Sequence, residues 1–155
     1  MDDDSEELLK PVMERPGLTI KLLNKQQAKR AGHARNLGMD IAKGRWLLFA
    51  DADDYYCDNL LDILDKYKES NKDVIYFNFY RIENDNLSSI NKLIGKKQYS
   101  SEDLDVIKYK YNAPWNKMIR RQFLIDNSIR FEECVNGNDM LFSYQVGYLA
   151  KSLEI

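Results

Sequence analysis

The sequence holds one histidine, two cysteines and three prolines, and its acidic and basic residues nearly cancel. A lone His33 excludes a histidine-rich zinc centre and leaves any His-based triad resting on that one residue. Cys57 and Cys134 stand far apart and match no metal or redox spacing, so they read as reduced thiols of a cytosolic protein. A formal net charge of -2, from 23 basic and 25 acidic residues, gives no electrostatic footprint for nucleic acid. No apolar run approaches the ~18 residues of a membrane span, and the acidic start is unlike a signal peptide. What remains is a soluble globular class, 44% hydrophobic and 31% charged over 155 residues, enough for one domain with a core.

The hydrophobic pattern alternates between two periods. Residues 1–17 read as a helix stopped near Pro16-Gly17, and LTIKLLN (18–24) as a short strand. Residues 26–43 place Ala28, Ala31, Ala34, Leu37 and Ile41 about a turn apart, with Gly44 as a stop. The run WLLFA (46–50) predicts a strand covered on both faces. Residues 57–70 predict a helix with Leu60, Leu61, Leu64 and Tyr67 on one side, 73–82 a strand, and 82–92 a turn or exposed loop. Ser100 and Asp103 have capping-box spacing, 112–127 reads as a helix with Pro114 in its first turn, and 136–150 as a final helix. The closing Lys-Ser-Leu-Glu-Ile fits the entry to another strand. Such alternation predicts an α/β layered fold with a mostly parallel central sheet.

Within it, RWLLFADADDYY carries the chemistry. In open parallel sheets ligands bind beyond the carboxyl ends of strands, and Asp51, Asp53 and Asp54 stand at such an end. Extended-chain alternation sends Asp51 and Asp53 to one side and Asp54 to the other. Two carboxylates together suit a hard cation that takes oxygen ligands, Mg²⁺ or Mn²⁺. The competing account is an acidic loop capping the next helix, a task Asp58 would also serve.

The longer stretch GHARNLGMDIAKGRWLLFADADDYY resembles family 2 glycosyltransferases, whose pattern runs G-x-S-x-A-R-N-x-G, a helix, A-K-G, a hydrophobic strand and D-x-D-D. The matching residues are Gly32, Ala34, Arg35, Asn36, Gly38, Ala42, Lys43, Gly44, Asp51, Asp53 and Asp54. APWNKMIRRQFL (113–124) and IRFEECVNGNDMLF (129–142) resemble segments of the family's exopolysaccharide and capsule members. The resemblance implies a GT-A-like fold and inverting transfer of a sugar from a nucleotide diphosphate sugar to a glycan or lipid-linked acceptor. It puts Asp51 on the nucleotide-sugar and metal side, Asp53 on the cation, and Asp139 in the role of catalytic base. At the neighbouring position, where relatives usually carry Glu, this chain has Asn138.

Further roles follow from the same resemblance. Arg35 suits contact with the diphosphate or the aspartates, against an ordinary surface arginine. His33, where relatives carry Ser, reads either as a substrate-side residue near phosphate or as a packing residue. Trp115 is the better sugar-stacking candidate of the two tryptophans, with core packing favoured for both. Lys117, Arg120 and Arg121 read as a solvated helical face, with an anionic acceptor or the inner face of a membrane as the alternative.

The resemblance also implies that about 45 residues of the family's nucleotide pocket precede this sequence. On that reading residues 1–155 form a single partial catalytic domain, 1–56 the nucleotide-sugar and metal half and 57–155 the acceptor half. Asp2 and Asp3 then match the family's base-contacting aspartates, although an acidic helix start accounts for them equally well. An exposed sheet edge would favour a homodimer. Two other functions compete: a truncated, non-catalytic binding domain, and a phosphatase of the haloacid-dehalogenase type with Asp51 as nucleophile.

Overall fold

The computed structural model describes residues 11, 16–17, 19–22, 30–83, 86–89 and 93–155. The expected 1–17 helix, the beginning of the 26–43 helix, Asp2 and Asp3 therefore lie outside the described residues, apart from fragments. Residues 19–22, the described part of the expected 18–24 strand, belong to neither sheet.

The elements are α1 (Ala31–Ile41), β1 (Trp46–Leu47), α2 (Leu60–Tyr67), β2 (Val74–Tyr76), β3 (Tyr80–Glu83), β4 (Asn86–Ser89) and α3 (Ser101–Asp105). A π turn (Val106–Lys110) and a 3-10 turn (Pro114–Asn116) come next. They lead into β5 (Lys117–Arg120), α4 (Arg121–Asp126), α5 (Asn138–Leu149) and β6 (Leu153–Glu154). The main sheet has the order β1-β5-β2-β6. β2 and β6 pair in parallel, β1 points the same way, and β5 lies antiparallel between β1 and β2. Three of the four strands thus share a direction, as the α/β pattern predicts, around one reversed strand. Lys-Ser-Leu-Glu-Ile does enter a strand, β6.

β5 corrects the expected 112–127 helix. Pro114 opens a 3-10 turn, and the next four residues extend and pair on both edges, with Ile119 opposite both Leu47 and Val74. Lys117, Met118 and Ile119 are buried there, so the expected solvated helical face does not exist. The helix begins only at Arg121. The expected 82–92 loop is likewise corrected at its described residues, because β4 pairs antiparallel with β3. Asn and Ser are poor strand formers, and here a paired neighbour overrides propensity.

Two helices turn differently from their apolar patterns. In α2 Leu61 is 74% exposed, and Asn59 rather than Asp58 takes the N-cap position. In α1 the buried residues are Gly32 and Asn36, while Ile41 faces solvent. α1 packs against an irregular backbone segment, whose amides need polar partners rather than alanines. The helix ends at Ile41, short of Gly44, where the Ala42 N–H still reaches Gly38 O (3.0 Å). By contrast, Ser100 and Asp103 close the predicted capping box on α3.

The core joins Val74, Tyr76 and Ile119 of the sheet to Ile107, Phe123, Leu124, Phe142 and Val146 of the helical layer. Phe131 and Phe142 stack at 3.7 Å, and Phe49 meets both edge-on at 5.1 and 5.6 Å. Burying one such ring contributes about 1.5–3 kcal/mol. At the end of the sheet where β2 begins, one Asp73 carboxylate oxygen pairs with Arg120. The other accepts from the Lys151 and Ser152 amides, both at 3.0 Å, and from the Ser152 hydroxyl at 3.2 Å.

Candidate functional site

The site is assembled where α1 crosses residues 129–133. A Cβ added at Gly32 would lie 2.0 Å from the Glu132 carbonyl oxygen, so only glycine permits this approach. One turn on, the Asn36 side chain acts as a strand partner. Its Nδ2 donates to Phe131 O (2.9 Å) and its Oδ1 accepts from Phe131 N (3.0 Å). Arg130 forks onto the Asp40 carboxylate further along the helix. Gly32 and Asn36, met in the sequence as motif letters, are structural clamps.

Replacing Asn36 by Ala strands a buried N–H and a buried carbonyl. The expected loss is about 2–4 kcal/mol of unfolding free energy in urea titrations. A change below about 0.5 kcal/mol would mean that the clamp contributes nothing.

With its neighbours held, Arg35 faces the other way. Its guanidinium donates from Nη2 to Asp51 Oδ1 at 2.5 Å and from Nη1 to Asn138 Oδ1 at 2.7 Å, and it lies 5.3 Å from the centre of the Phe131 ring. A planar fork of donors suits such a two-way link. Three segments far apart in sequence meet at one side chain: the α1 motif, the aspartate run and the Asn138-Asp139 pair. Asn138 accepts from the arginine without neutralising it. The aspartate arm of the expectation for Arg35 is thus the geometry observed.

Residues 51–54 are not extended. The Asp54 N–H closes a turn onto Asp51 O at 3.2 Å, so the alternation expected for the three aspartates does not apply. Asp51 is half-buried, whereas Asp53 and Asp54 are exposed. Partial burial, followed by the charges of Asp53 and Asp51, raises the Asp54 carboxyl above its usual range. Burial, then Asp51 and Asp54, likewise raises the Tyr56 phenol, whose hydroxyl donates to Phe49 O at 2.6 Å. No hydrogen bond or ion pair engages Asp53 among the described residues. Nor is there among them a ready-made cluster of three or more metal-binding side chains.

The remaining candidates divide. His33 Nδ1 lies 2.9 Å from Glu133 Oε2, a contact that suits packing of α1 against the 129–133 segment. Trp115 is half-buried and meets Phe79 edge-on at 5.1 Å. Trp46 donates to Lys68 O at 3.0 Å, at the opposite end of β1 from the aspartates. Asp139 sits half-buried in the first turn of α5. That helix is entered through Gly137 at φ +73°, a left-handed conformation that glycine adopts without a Cβ penalty. Lys117 is a chemically notable residue that the helical reading misplaced. It is fully buried, and the local sequence offers no strand alternation that would have told it apart from a helix.

Comparison with known proteins gives this geometry a context. The family model described as glycosyl transferase family 2 matches residues 1–127. A beta-1,3-glucosyltransferase of Escherichia coli, WfgD, whose full name gives UDP-Glc and alpha-D-GlcNAc-diphosphoundecaprenol, is 33% identical over 96 residues. That match takes in 61% of this chain and 36% of WfgD. Glycosyltransferase GlyG of Streptococcus pneumoniae is 28% identical over 65 residues, 41% of this chain and 22% of GlyG. The chain therefore spans about a third or less of these relatives. The crystal structure of S. aureus TarS 1-349 superposes with a TM-score of 0.74 at 22% identity, covering 97% of this chain and 44% of that one. TarS in complex with UDP-GlcNAc gives a TM-score of 0.67 at 22% identity over 97% of this chain and 43% of TarS. The TarS likeness establishes the GT-A fold, and the dehalogenase alternative gives way to the family match. With its family model matched over residues 1–127, the chain belongs to glycosyl transferase family 2.

Proposed function

We propose that this chain carries the sugar-transfer site of an inverting glycosyltransferase of cell-surface glycan synthesis, with a nucleotide diphosphate sugar as donor. The observation that supports it most is the Arg35 link, which brings the Asp51 carboxylate beside the Asn138-Asp139 pair. In the proposed reaction the acceptor oxygen attacks the anomeric carbon while its proton passes to the Asp139 carboxylate. The bond from that carbon to the diphosphate oxygen breaks, and the nucleoside diphosphate leaves with the electron pair. A UDP-sugar is the donor class to try first, because WfgD is named for UDP-Glc and TarS has been solved with UDP and UDP-GlcNAc.

The oxygen-only donor set of Asp53 and Asp51 fits Mn²⁺ or Mg²⁺. Mg²⁺ characteristically takes one or two carboxylates together with substrate phosphates, so a three-carboxylate cage is not required. Such an ion would supply positive charge to the departing diphosphate. In this reading Arg35, which holds Asp51, exchanges part of that contact for a phosphate oxygen. A glycan or lipid-linked acceptor and peripheral association with the inner face of the membrane complete the proposal. Among the described residues no helix is long and apolar enough to cross a membrane. The outer edge of β1 has no strand partner among the described residues, which favours a homodimer.

Calorimetric titration with UDP tests the reading. Binding is expected with Mn²⁺, about tenfold weaker with chelator and weaker again in Asp53→Asn. Equal affinity in all three conditions would remove the cation from the site, and no binding in any of them would sink the donor assignment.

A further inference from the structure

Lys117 opens β5 at the middle of the sheet, opposite Tyr76 of β2, with no exposed surface. A buried lysine is costly unless its charge is answered. Here the ammonium finds three acceptors: Tyr111 O at 2.8 Å, Ala113 O at 2.5 Å and Asn116 Oδ1 at 2.7 Å. An ammonium has three N–H donors and no acceptor, so its capacity is filled. Residues 111–113 belong to no helix or strand, and the 3-10 turn that follows packs on α5, the helix of Asp139. Trp115 stands in that turn.

We propose that Lys117 is a positioning residue for sugar transfer, its buried ammonium drawing the 111–116 turn into one shape against α5 and so fixing the acceptor side relative to Asp139. This deepens the proposed function and rests on Asp139 being the base. The Tyr76 ring of β2 lies 5.4 Å from the ammonium, and the Asp139 charge on α5 favours its protonated form. Burial lowers the Lys117 pKa to about 7, against the opposing pull of the Asp139 charge. Loss of one proton leaves two donors for three acceptors, and the turn loosens. The unfolded chain keeps the lysine charged up to its ordinary pKa, so between about 7 and that value the unfolded state holds more protons. Folding stability rises with pH across this window while the shape of the turn is lost.

The tests use Lys117→Met, which keeps length and apolar bulk. Wild type is expected to lose transfer as pH rises through about 7. Lys117→Met is expected to transfer about 10- to 100-fold more slowly and without that alkaline fall. Its affinity for UDP with Mn²⁺ stays within about twofold of wild type, since the donor residues are elsewhere. A retained alkaline fall, or a parallel loss of UDP binding, overturns the proposal. Should the variant fail to fold, the Trp115 emission of a Trp46→Phe protein followed between about pH 6 and about pH 9 still decides. A transition near 7 supports the device and a flat trace rejects it. Asp139→Asn separates the two layers. Full transfer by that variant defeats the base assignment whatever Lys117 does, whereas a dead Asp139→Asn beside an unaltered Lys117→Met defeats only the positioning role.

Discussion

Under the proposed function, exchanging Asp139 for Asn is expected to lower sugar transfer by about 10²- to 10⁴-fold, the usual contribution of a well-placed general base, and to leave UDP binding within about twofold. The substitution is nearly isosteric and acts on charge alone. Its neighbour Asn138, not Asp139, holds Arg35, so the donor side keeps its 2.5 Å link between Arg35 and Asp51. The change also removes the carboxylate that opposes deprotonation of Lys117, so the Lys117 transition moves to lower pH in the variant. A transfer assay with a panel of UDP-sugars, run beside UDP calorimetry, reads both quantities. If transfer and UDP affinity fall together, Asp139 is a structural residue and the base lies elsewhere.

The largest effect on folding is expected from Gly32→Ala. A methyl group would sit 2.0 Å from Glu132 O and 3.2 Å from the Asn138 Cβ, and neither neighbour is the tip of a flexible side chain. Relief requires α1 to lift off the 129–133 segment, releasing both Asn36 hydrogen bonds and shifting Arg35. A loss on the order of 3–5 kcal/mol follows, despite the gain of about 1 kcal/mol that alanine normally brings to a helix. Gly38→Ala is the internal control. It lies in the same helix with open space around it, and it should stabilise by about 0.5–1 kcal/mol. Urea denaturation of both variants gives the comparison. Similar midpoints would show that α1 and the 129–133 segment do not touch as closely as the structure has them.

The link between the α1 motif and the aspartate run was legible because a planar guanidinium in that motif suits a carboxylate partner. The Ser100 cap was legible because it is local. β5 was not. K-M-I-R sets two apolar residues between two basic ones, amid helix-compatible flanks, and only long-range pairing with β1 and β2 decides its shape. The inward face of α1 was misjudged for a related reason. Apolar spacing finds contacts with other side chains, while this helix meets a bare backbone and needs Gly32 and Asn36. The turn at residues 51–54 escaped the alternation rule because the strand ends at Leu47, well before the aspartates. Lys117 combines both difficulties, since a lysine signals solvent unless the three oxygens awaiting it are known.

Asp73 has a bearing on motion that its hydrogen-bond partners alone do not express. Its carboxylate fastens the beginning of β2 to the end of β5 and to the chain entering β6. Asp51 stands past the opposite ends of the strands, where no comparable rivet spans three of them among the described residues. Local opening should therefore start at the aspartate end and die out toward Asp73, as a book opens from its fore-edge while the spine holds. Amide exchange at Ser152 and Arg120 should be among the slowest in the molecule, and exchange around Asp53 among the fastest. For a chain proposed to admit a nucleotide sugar and release a nucleoside diphosphate, slack at that end is useful.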